Sequence, residues 1–126
     1  MIPGMAELEL KAAIWAFVGR EQSVSFAELE REFPEHFDHP DRVAITLEPY
    51  ENVILWSGTS TELASSIVEL AQASLIVTKA VSAFIYSIDG AMLRLPLARF
   101  LRSYKHPRWL PVIFHTPEHL ASEAKF

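Results

Sequence analysis

Apolar residues recur at helical spacing from the start of the chain. Across residues 5–18, "MAELELKAAIWAFV", Leu10, Ala13, Ile14, Phe17 and Val18 share one face. That pattern predicts a first helix, and Gly19 offers its C-terminal cap. In "SVSFAELEREFP", Ser25 and Glu28 form an S-x-x-E capping box, so a second helix should open near Phe26. Phe26, Leu29 and Phe33 would face the core, and Pro34 should stop the helix. A polar, proline-bounded loop follows over 34–42.

The period then shortens. Val43–Leu47 and Asn52–Trp56 read as extended segments on either side of Pro49. Ser57–Gly58 should end them in a tight turn. Thr59 and Glu62 make a second capping box, T-x-x-E, opening a third helix that runs to about Ala73. Leu63, Ile67 and Leu70 form its apolar stripe. Glu62, Ser65, Ser66, Glu69 and Gln72 face outward. After Ser74, "LIVT" and "SAFIYSI" are rich in β-branched and aromatic residues, which favours strands. Asp89–Gly90 predicts a hairpin turn, with "AMLRLPL" as the returning strand. "ARFLRSY" reads as one or two helical turns. "WLPVIF" reads as an extended apolar strip laid on the body.

This order of helix, capped helix, helix and hairpin resembles a winged-helix domain. Ser25–Leu29, Thr59–Ala73 and Phe84–Leu95 around Asp89–Gly90 carry the resemblance, over about residues 5–97. The expected fold is α+β: three helices and a C-terminal β-hairpin, with an extra strand between helices two and three. Residues 34–58 lengthen that connection beyond a short helix-turn-helix joint. Residues 98–126 are expected to pack on this core as an extension of one domain, 1–126.

Composition bounds the function. A chain of 126 residues can bury a core without staples. With 50% hydrophobic residues it is somewhat apolar for a small monomer, which leaves room for a homodimer surface. There is no cysteine, so thiolate metal sites, disulfides and cysteine nucleophiles are excluded. The opening residues lack the basic segment of a secretory signal. The longest apolar run contains Lys79 and is too short for a membrane helix. A soluble, cytoplasmic protein is expected, with no membrane partner.

Charge is divided along the chain. Residues 1–74 hold four Lys/Arg against thirteen Asp/Glu, while residues 75–117 hold six Lys/Arg and one acid, Asp89. Such a split supports either internal attraction between the halves or a basic surface for a polyanion. The resemblance implies that the third helix reads DNA. Its outward face has no Arg or Lys and two carboxylates, which leaves Ser65, Ser66 and Gln72 as permissive contacts, with Ser65 and Gln72 the candidates. The stronger candidates are Lys79, Arg94, Arg99, Arg102, Lys105 and Arg108, interleaved with Tyr104 and Trp109. That mixture suits phosphate tracking and base stacking. Alternatively, these cations pair with the acidic half and Trp109 lies in the core.

Catalytic and metal patterns are weak. His36 and His39 lie near Asp38 and Asp41, and His115 and His119 are four apart, but "HTPEH" is not H-E-x-x-H. "SGTST" lacks the second glycine of a nucleophile elbow and the G-K-[ST] of a phosphate loop. No enzyme, cofactor or metal is expected. The expectation is a binding module, acting as a DNA-binding transcriptional regulator through a basic wing and C-terminal strip. The alternative is a protein-interaction or self-association module without nucleic-acid binding.

Overall fold

The computed structural model describes residues 5–118. Its elements are α1 (Met5–Glu21), β1 (Val24–Ser25), α2 (Phe26–Glu32), a 3-10 turn (Pro34–His36), β2 (Val43–Thr46), β3 (Val53–Thr59), α3 (Thr61–Gln72), β4 (Val77–Ala80), α4 (Ala83–Asp89), β5 (Arg108–Trp109) and β6 (Val112–His115). Among the described residues the fold is α+β, with four named α-helices and two small sheets. One sheet has the order β1-β6-β4 and is antiparallel throughout. The other has the order β2-β3-β5, antiparallel then parallel.

Local chemistry accounts for the first half. Leu10, Ile14, Phe17 and Val18 are buried as their spacing predicts, while Ala13 is exposed. The helix does not stop at Gly19. The Gln22 side chain donates to the Gly19 carbonyl, and Gln22 and Ser23 take the positive φ values that end the helix. The same side chain exchanges hydrogen bonds with Thr116, tying this corner to the end of β6. The Ser25–Glu28 capping box is present in both directions. Phe26 and Leu29 are fully buried beneath it.

Between α2 and α3 there are two paired strands, β2 and β3, rather than one. Gly58 does not end β3. It is skipped between the pairs Val43–Thr59 and Ala44–Ser57, and its φ of 85° marks it as the bulged residue. The strand therefore continues through Thr59, and the cap moves one residue on. Ser60 Oγ accepts from Leu63 N, while Thr59 stays in the sheet. Leu63, Ile67 and Leu70 are buried along the predicted stripe, but Ser66, expected on the outward face, is buried with them and donates its hydroxyl to the Glu62 carbonyl.

The Asp89–Gly90 hairpin is not formed. "AFIYSID" is helix α4, opened by Ser82 Oγ and closed by Gly90 at φ 89°. A glycine with positive φ serves a helix end as well as a hairpin turn. Tertiary bonds decide between them here. Tyr86 Oη accepts from Phe26 N and donates to the Val112 carbonyl. Ser25 Oγ donates to Asp89 Oδ2 at 2.7 Å, and Arg31 donates to the Asp89 carbonyl. Burial pushes the Tyr86 phenol well above its ordinary value, against the lowering effect of the two backbone bonds. Residues 91–97, the expected return strand, form a loop with a single bridge between Leu97 and Trp109. "ARFLRSY" is a series of bends, not a helix. The strand that pairs with β4 is instead β6, the central strand of its sheet. β5 and β6 are thus built into the core. Phe26, Trp56, Tyr86, Trp109 and Phe114 pack there with ring centroids 5.0–6.0 Å apart.

Candidate functional site

The cationic segment is a loop fastened at its base and along its length. At the base, Ala98 N donates to the Trp109 carbonyl and Trp109 N to the Pro96 carbonyl, each at 2.8 Å. Trp109 is fully buried, so it anchors the loop rather than offering a surface for stacking. Along its length the loop is held by the turn before β3. Tyr104 N donates to the Glu51 carbonyl, Asn52 Nδ2 to the Tyr104 carbonyl and Arg108 N to the Asn52 carbonyl. Glu51 N donates to Ser103 Oγ. Tyr104 packs its ring with Val53 and Ala98 in a small second cluster.

Tyr104 organises the cations. The guanidinium carbons of Arg102 and Arg108 lie 4.6 and 4.9 Å from its ring centroid. Arg108 Nη1 also donates to the Leu97 carbonyl. Partial burial raises the Tyr104 phenol, but the Phe100 backbone bond and the two guanidiniums lower it more, so the net direction is down. The cations thus favour negative charge at this place. Arg102, Lys105, His106 and Arg108 line a cleft of about 580 Å³ with Ser103, Tyr104 and Glu51. Glu51 is the carboxylate of the lining.

The question left by the sequence was whether these cations are free or internally paired. Among the described residues, no carboxylate comes within ion-pair reach of Lys79, Arg94, Arg99, Arg102, Lys105 or Arg108. The described ion pairs use other groups: Lys11–Glu69, Arg20–Glu21, Arg42–Asp38 and the His36–Glu35 contact. Arg94, Arg99, Arg102, Lys105 and Lys79 are exposed and Arg108 is half-buried.

They do not form one strip. Arg102, Lys105 and Arg108 share the cleft, and Arg99 lies on the same loop without lining it. Arg99 and Arg102 share no helical face, because that segment is not helical. Arg94 sits in the loop after α4, not on a strand, and Lys79 lies on β4 in the other sheet. Ser65 and Gln72 line a separate groove between α3 and β2 that also holds Glu48 and Glu69. Two acids there oppose a phosphate backbone.

Two exposed apolar features have no periodic signature in the sequence. Phe100 and Leu101 stand out from the loop at 69% and 63% exposure, between Arg99 and Arg102. The signal was "RFLR", an apolar pair outside any period and bracketed by cations. The outer face of α1 was the other, since Leu8 and Trp15 are 58% and 45% exposed beside exposed Ala12 and Ala16. Apolar residues on both faces of α1 hide its amphipathic signature.

His36 Nδ1 lies 2.7 Å from Ser60 Oγ, which is nearly buried and already caps α3. Among the described residues, no three His, Asp or Glu side chains are placed to hold a metal. His119 lies outside the described residues. No described helix is long and apolar enough to cross a membrane. No family model, curated protein or solved structure matches the chain.

Proposed function

We propose that this chain is a winged-helix-like, non-enzymatic binding module that engages the backbone of DNA and acts in transcription regulation. The observation that carries the proposal is the cluster of Arg102, Lys105 and Arg108 around Tyr104, with no carboxylate paired to it among the described residues. Leaving guanidiniums unpaired on a fastened loop suits a polyanion better than internal neutralisation. The order of elements supports the winged-helix reading. Three helices, α1 to α3, are followed by the antiparallel pair β4 and β6, which takes the place of the expected hairpin. The β2–β3 pair is then an insertion between the second and third helices, and residues 81–111 an insertion within the wing. On this reading α3 is secondary, because its outward groove is acidic. Fluorescence anisotropy with a labelled duplex at low salt tests the proposal. Saturable binding is expected, and its absence sinks the DNA reading.

A second reading has its own observation. Leu8, Ala12, Trp15 and Ala16 give α1 an outward apolar stripe opposite its buried one. An exposed apolar stripe rimmed by charged residues, here Glu7, Glu9 and Lys11, marks a contact surface. Self-association through α1 explains the stripe and is compatible with DNA binding. Light scattering should then find a dimer, and Trp15→Glu should weaken it at least about 10-fold. A monomer at every concentration would contradict this reading.

A further inference from the structure

We propose that Phe100 and Leu101 form a wedge that inserts between base pairs of a duplex held by the cations around them. This deepens the DNA reading and rests on it. Three observations converge on this bend of the loop.

The first is exposure. Phe100 and Leu101 are consecutive, large and apolar, and leave 69% and 63% of their surface open. Single exposed apolar residues are ordinary, but adjacent ones on a loop make an exposed patch.

The second is rigidity. The Phe100 backbone is bonded at both ends by one side chain: its N–H donates to Tyr104 Oη at 3.1 Å, and Tyr104 Oη donates to its carbonyl at 2.9 Å. Arg102 N donates to the same carbonyl at 3.1 Å. The apolar pair is therefore presented by a fixed bend, and little freedom is lost when it is seated. Tyr104 acts as a positioning residue for the bend while its ring carries Arg102 and Arg108.

The third is charge. Arg99 and Arg102 flank the pair in sequence, Lys105 and Arg108 stand behind it, and none of the four has a carboxylate partner among the described residues. An apolar protein pocket would accept the wedge and leave four cations uncompensated. A membrane surface would neutralise the cations, but interfacial binding relies on a broader apolar face, such as that of an amphipathic helix. This bend is two side chains wide and non-helical. A base step is a slot of that width between two rows of phosphates. Phe and Leu wedges flanked by Arg and Lys unstack such steps and bend the duplex.

The test uses the full chain and a duplex with 2-aminopurine at a flexible pyrimidine–purine step. The wild-type protein should raise 2-aminopurine emission at least about 2-fold on binding, as the base unstacks. The double variant Phe100→Ala/Leu101→Ala should keep the salt slope of binding, because its cations are intact. It should lose the emission change and bind about 10-fold to about 100-fold more weakly. Both side chains are exposed, so its thermal melt should match wild type, which separates the loss from misfolding. Wild-type binding with no emission change overturns the wedge and leaves the backbone reading standing. An unaltered double variant does the same. No wild-type binding to duplex, or binding only to phosphatidylserine vesicles, overturns both.

Discussion

Trp109→Ala is expected to lower the free energy of unfolding by about 3–5 kcal/mol, the upper range for truncating a buried side chain. Trp109 is fully buried. Its ring meets Tyr86 edge-on at 5.0 Å and Trp56 at 6.0 Å. Its indole N–H donates to the Leu55 carbonyl at 3.2 Å. Alanine would leave a cavity where α4, β3 and β5 meet and a carbonyl without its donor, which places the loss toward the upper end. Total stabilities of such domains run to about 5–15 kcal/mol, so much of the margin would go. Urea unfolding followed by circular dichroism measures it, and an unchanged midpoint contradicts the assigned packing. Trp109→Phe should be milder, since the cavity shrinks but the Leu55 carbonyl still loses its donor. Because Trp109 also closes the base of the cationic loop, the alanine variant should bind nucleic acid poorly even where it remains folded.

The second large effect is on binding. Arg102→Ala/Lys105→Ala/Arg108→Ala should reduce affinity for duplex DNA on the order of 10²-fold at about 0.1 M salt. Each cation that neutralises a phosphate releases a counterion, so removing three should also flatten the salt dependence by about 2.7 logarithmic units per decade. Lys105 is exposed and Arg102 lies outside the main core, so the fold should survive. Arg108 is the exception that needs checking, because its guanidinium also holds the Leu97 carbonyl. A companion Arg108→Lys keeps the charge and discards the ring contact, and its melt isolates that structural share. Combining Lys79→Ala with Arg94→Ala should have a much smaller effect, since neither residue lines the cleft. Equal losses in the two sets would mean that general charge, not this cleft, is responsible.

Several parts of this structure were legible in the chain because their causes are local. The Ser25–Glu28 box needs only four residues, and it forms as read. The α3 stripe needs only its own period. Thr59 and Ser60 are adjacent hydroxyls, and the choice between them depends on how far β3 pairs with β2, which the local pattern does not encode. Residues 83–90 went wrong for a related reason. Ile85, Tyr86 and Ile88 suit a strand, and Asp89–Gly90 suits a hairpin. Contacts from Phe26, Val112, Ser25 and Arg31, all distant in sequence, hold them as a helix. The pairing of Val24 with Phe114 brings β6 to the centre of its sheet, and no short window contains both residues. The site divided in the same way. Cation positions can be read from sequence. Their lack of an ion-pair partner among the described residues, the fixed bend at Phe100 and the burial of Trp109 are tertiary facts.

Binding of DNA chiefly through its phosphates is the role proposed for the loop over residues 98–108. Its most direct test is the wild-type affinity for one labelled duplex between about 50 and about 200 mM salt. With Arg99, Arg102, Lys105 and Arg108 engaged, log K should fall linearly with log salt at a slope of about −3 to −4. A slope near zero, or no binding at about 50 mM salt, would contradict the account.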